Sequence, residues 1–60
     1  MSPHEAFTEG AAMARQSARG WYEMALVETD EAKRIRYETE VRKAQERARD
    51  YDARAGWYSK

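Results

Sequence analysis

The feature that most limits what this chain can become lies in its second half. Tyr37, Val41, Ala44, Ala48, Tyr51, Ala55 and Tyr58 follow one another at alternating steps of four and three. That is a heptad seam of about three repeats, and it demands a long α-helix with something packed along one side. Large and small residues alternate along it, so a tyrosine on one helix can sit against an alanine on the next. Ala32 and Ile35 lie beside the seam and widen it. The remaining faces are charged, and Arg34/Glu38, Glu38/Arg42, Arg42/Glu46 and Asp50/Arg54 all stand four residues apart, the spacing at which opposite charges support a helix.

The first half reads as a second helix. Ser2-Pro3-His4-Glu5 is a helix start: Ser2 caps, Pro3 has no donor to lose, and Glu5 stands where a capping box places its carboxylate. An apolar stripe follows at helical spacing: Ala6, Phe7, Gly10, Met13, Ala14, Ser17, Gly20, Trp21, Met24, Ala25 and Val27. Thr8, Glu9, Arg15, Gln16, Arg19 and Glu23 occupy the other side. Gly10, Ala14, Ser17, Ala18 and Gly20 make much of the stripe small, which lets another backbone approach closely. Trp21 and Tyr22 are about 100° apart on a helix, so Trp21 is expected inward and Tyr22 at the rim.

Glu28-Thr29-Asp30-Glu31 is the only stretch resembling a turn. Thr29 or Asp30 can cap a following helix, and Glu31 suits its first turn. With no glycine or proline there, one continuous helix is the competing arrangement. The expected fold is therefore all-α: an antiparallel two-helix hairpin over residues 1–60, with helices at about 3–28 and 31–55 and a turn at 28–31. Gly56 is expected to stop the second helix and leave a short aromatic tail, 56–60, in which Trp57 closes the open end of the core near Phe7.

Sixty residues make one domain and bury a small core. Cysteine is absent, so neither disulfides nor thiolate metal sites can reinforce it. Branched aliphatics are few, and two helices alone bury too little to be comfortably stable. Completion by a homodimer or by a protein partner is the expected remedy. The opening residues show no secretory signal pattern, and no apolar run reaches the roughly 20 residues of a membrane span; a cytoplasmic location fits. Arginine outnumbers lysine, in keeping with a bacterial or phage origin.

Chemistry is sparse. The single histidine, His4, sits in a first helical turn where no shell is expected to hold it. His4, Glu5 and Glu9 are too few for a metal, since zinc sites usually take three or four protein ligands. Carboxylates two apart, such as Glu38 with Glu40 or Asp50 with Asp52, point to different sides of a helix. No catalytic residue, metal or cofactor is expected, and the chain does not read as an enzyme. The expected function is a protein-protein interaction module: a small regulator, inhibitor or accessory subunit. Its expected partner-binding residues are Trp21, Tyr22, Tyr37, Tyr51, Trp57 and Tyr58 with neighbouring arginines, because aromatics are enriched at binding hot spots. The alternative is a small dimeric nucleic-acid regulator presenting Arg34, Arg36, Arg42 and Lys43. Zero formal net charge and the interleaved glutamates weigh against it, since they cancel the field a phosphate would feel.

Overall fold

A computed structural model describes residues 1–58. It contains two α-helices, α1 at Pro3–Val27 and α2 at Glu31–Trp57, which pack along each other as a hairpin measuring 46 × 14 × 11 Å. Both helix starts are held by the residues the sequence points to. The Ser2 hydroxyl accepts from the Glu5 amide at 3.2 Å. The Asp30 carboxylate accepts from Ala32 at 2.9 Å and Lys33 at 3.4 Å. Of the two candidate caps for α2, Asp30 is the one used.

The turn works without glycine because nothing in it needs a positive φ. Glu28 and Asp30 lie in extended backbone, with φ/ψ of −79/126° and −80/118°. Any L-residue adopts these angles at little cost. The Glu28 carboxylate accepts from the Asp30 amide at 3.0 Å, which fixes the bend.

The core is made of alanine. The buried apolar residues are Ala11, Ala14, Ala18 and Ala25 on α1 and Ala44, Ala48 and Ala55 on α2, of which Ala11 and Ala44 are fully covered. Alanine against alanine lets two helix axes approach toward the short end of the usual range of about 8–10 Å. On α2 the expected heptad seam is buried or half-buried from Tyr37 to Ala55, joined by half-buried Thr39 and Glu40, while Tyr58 is exposed. On α1 the buried line is Phe7, Ala11, Ala14, Ala18, Trp21, Ala25 and Glu28, again at steps of four and three.

That line corrects the broader stripe. Ala6, Met13, Ser17, Gly20, Met24 and Val27 are exposed, Met13 by 63% and Val27 by 80%. Phe7, Ala14 and Trp21 belong to two possible seams, one continued by Ala11, Ala18 and Ala25 and the other by Gly10, Ser17 and Met24. The alanine set wins because three methyl-sized side chains let α1 approach α2 more closely than methionine would allow. Ile35 is 54% exposed and Ala32 is also exposed, so neither widens the buried seam.

The C-terminal end also differs from expectation. Gly56 does not end α2, and no described glycine has positive φ. The helix continues through Trp57 and ends at Tyr58, whose amide donates to the Ala55 carbonyl at 3.1 Å. Tyr58, not Trp57, closes the core: its ring stacks on Phe7 with centroids 5.8 Å apart and planes 18° apart. Holding Tyr58 there carries the helix past Gly56. Trp57 points away and is 71% exposed. Ser59 and Lys60 of the expected tail lie outside the described residues.

Candidate functional site

His4 turns out to be held. Its Nδ1 donates to the Ala55 carbonyl oxygen at 2.9 Å, across 51 residues of sequence. An imidazole in the first turn of α1 thus ties down the last turn of α2. This is a structural clasp at the open end, where Phe7, Tyr51 and Tyr58 also meet. Phe7 and Tyr51 have centroids 6.2 Å apart, and the Arg54 guanidinium stands 6.0 Å from the Phe7 ring. At the turn end, Trp21 meets Tyr37 with centroids 5.7 Å apart.

The six aromatic candidates therefore divide. Trp21 and Tyr37 form one intrachain pair, and Tyr51 and Tyr58 belong to the Phe7 cluster at the other end. Tyr22 and Trp57, 54% and 71% exposed, belong to neither ring cluster, and Tyr58 is 52% exposed even though it stacks on Phe7. Trp21 inward and Tyr22 at the rim agree with the sequence reading.

The four basic residues of the nucleic-acid alternative are also divided. At 100° per residue, Arg36 and Lys43 share one side of α2, while Arg34 and Arg42 lie on another. Lys43 is further engaged by Glu40 at 3.7 Å. Of the four i,i+4 pairs expected on α2, Asp50–Arg54 is closed, at 3.2 Å.

The most developed concavity runs along one side of the hairpin. It is an open groove of about 620 Å³ with a floor of Ala18, Val41 and Ala48. Arg15, Arg19, Tyr22, Gln45 and Arg49 form its rim. No carboxylate lines it. Arg15 is anchored by an ion pair across the helices to Asp52, and Arg19 is steered by Glu23 at 3.5 Å. Arg49 makes no ion pair among the described residues. The groove thus sets guanidiniums around an apolar strip, with an aromatic ring at one end.

Sequence reasoning placed Tyr22 and the arginines separately but missed the groove. The signal was present: Arg15, Arg19 and Tyr22 are one turn apart on α1, and Gln45 and Arg49 are one turn apart on α2. Seeing them as one site required the α1 seam to be set on Ala11, Ala18 and Ala25. Among the described residues, no group of three or more histidine, aspartate or glutamate side chains gathers as a metal site would require. No described helix is long and apolar enough to cross a membrane.

Compared with known protein families, characterised proteins and solved structures, the chain matches none.

Proposed function

We propose that this chain is a protein-interaction module, a small regulator, inhibitor or accessory subunit of bacterial or phage origin working in the cytoplasm. The groove between the helices is its working surface. The observation that carries this reading is the rim of Arg15, Arg19 and Arg49 with Tyr22 above an alanine and valine floor, in which Arg49 makes no ion pair among the described residues while Arg15 and Arg19 are held by Asp52 and Glu23. Guanidiniums bind carboxylates bidentately, and an apolar strip between them accepts an aliphatic or aromatic side chain. The partner favoured by this chemistry is a protein segment that carries acidic residues beside an apolar anchor. Trp57, exposed at the open end, is a second anchor available to the same partner.

The test is capture from the native host with the tagged full chain, run beside the double variant Tyr22→Ala/Arg49→Glu. Both positions are exposed, so the hairpin should survive and its helicity serves as the control. A discrete protein retained by the wild type and lost with the variant supports the reading. Equal capture by both chains would remove the groove from it. Recovery of nucleic acid alone, lost as salt rises from low to moderate, would turn the reading to the basic-surface alternative.

A further inference from the structure

On the side of α1 away from that groove runs a second heptad seam, exposed along its length except at Gly10, beside which the Tyr51 ring of α2 lies. Pro3, Ala6, Gly10, Met13, Ser17, Gly20, Met24 and Val27 follow one another at alternating steps of three and four. The row lies one residue, about 100°, around the helix from the buried alanine seam. It has no charged residue over its whole length. Met13, Met24 and Val27 stand out from it, exposed by 63%, 44% and 80%. Between it and α2 lies a shallow groove of about 220 Å³, lined by Gly10, Met13, Ala14, Ser17, Arg47 and Tyr51.

We propose that a second copy of this chain covers the seam, α1 against α1 in antiparallel orientation about a twofold axis. Two observations choose that occupant. The first is self-complementarity. In antiparallel packing, core positions of the two heptad classes face each other. The register that overlaps the whole row sets Met13 against Ser17 of the second copy, Met24 against Ala6, Val27 against Pro3, and Gly10 against Gly20. Each methionine then meets a small residue, Val27 meets Pro3, and the twofold axis falls between the two Met13–Ser17 pairs. A twofold interface must be complementary to itself in this way, and a seam made for an unrelated helix has no reason to be.

The second observation is area. The chain exposes 4790 Å², whereas a compact monomer of its mass would expose roughly 4000 Å². The excess comes with the elongated 46 × 14 × 11 Å shape and leaves room for the roughly 800 Å² that one partner contributes to a stable interface. Arg47, the cation nearest the middle of the seam, can lay its stem along the seam and keep its guanidinium in water. This proposal stands apart from the groove reading, because the two surfaces are on opposite sides of the hairpin.

Gly20→Glu is the discriminating variant. A Cβ at Gly20 meets nothing within 4 Å in the single hairpin, and glutamate is a better helix former than glycine. The folded monomer should therefore keep or gain helicity, while a carboxylate is placed inside the apolar seam. By sedimentation over about 1–100 µM, the wild type should be dimeric at the upper end. The variant should dissociate about tenfold more readily or more. For the register, Met13→Cys and Ser17→Cys chains are mixed under mild oxidation. The 13–17 heterodimer should form in preference to either homodimer. A wild type that stays monomeric throughout would assign the seam to another protein's helix and overturn the proposal. A Gly20→Glu chain as dimeric as the wild type, or equal cross-linking in all three pairings, would overturn it as well. Arg49→Glu should leave the dimer intact, so failure here and failure of the groove reading are read separately.

Discussion

At the scale of single residues, the two glycines within α1 have different surroundings. A Cβ at Gly10 would stand 3.4 Å from three atoms of the Tyr51 ring, whereas one at Gly20 would meet open space. Glycine in a helix interior costs about 0.5–1 kcal/mol relative to alanine, mainly through chain entropy. Gly20→Ala should therefore recover nearly that amount in the hairpin, measured by urea unfolding at low micromolar concentration. Gly10→Ala should gain at least as much, because its methyl group would also rest on the Tyr51 ring at ordinary van der Waals distance. A distinctly smaller gain at Gly10 would mean that the ring is crowded there. The sequence shows that both glycines lie on a helix and that a tyrosine seam faces it. It does not show which glycine lies under which ring, because that depends on how α1 is rotated about its axis. His4 was illegible for a similar reason: a lone first-turn imidazole acquires a partner only when the register of α2 places the Ala55 carbonyl beside it. Losing that single hydrogen bond in His4→Ala should cost about 0.5–1.5 kcal/mol, with the open end fraying first in amide exchange.

At the scale of elements, α2 was legible nearly in full and α1 only in part. The α2 seam is bounded on both sides by charge, so only one face can be buried. On α1 two seams lie side by side, both free of charge within Pro3–Val27, and periodicity cannot choose between them. Packing chooses, and it favours the row with the smallest side chains. The consequence is a core intolerant of volume. Ala44 is 0% exposed, so Ala44→Leu should destabilise the hairpin by about 1–3 kcal/mol through overpacking. Ala12→Leu, at an exposed position one residue from the seam, should change stability by less than about 0.5 kcal/mol. Thermal melts of the two variants decide it, and equal shifts would refute the alanine seam. The turn was legible in position but not in mechanism. Its bend depends on the Glu28 and Asp30 side chains bonding to the backbone, and a search for glycine or proline does not detect them. Removing the Asp30 cap in Asp30→Ala should cost about 1 kcal/mol.

At the scale of the whole molecule, an alanine core sets a limit on what the hairpin can do alone. Burying a methyl group contributes on the order of 0.8 kcal/mol, and no large side chain is fully buried among the described residues. The larger apolar residues sit at the two ends, as the Phe7–Tyr51–Tyr58 cluster and the Trp21–Tyr37 pair, or remain outside. Such a molecule is held together along its length by close backbone approach and at its ends by aromatic contacts. Its middle therefore has little reserve against opening. Two separate uncovered surfaces, the arginine-rimmed groove and the second α1 seam, are then where further stability can come from. Covering the seam adds three large side chains to a core that otherwise has none at mid-length. Helicity should accordingly depend on concentration. Far-UV circular dichroism over a hundredfold dilution should show a high helical signal that falls as the chain is diluted, in step with loss of the dimer by sedimentation. Gly20→Glu should show less helix than the wild type at high concentration and match or exceed it at low concentration, because it lacks the dimer but has the better helix former. Trp57→Ala, which removes a side chain 71% exposed and outside both core clusters, should follow the wild-type curve throughout. A helical signal that stays high while the dimer dissociates would show that close packing of alanines suffices to hold two long helices, and that the open seam serves association alone.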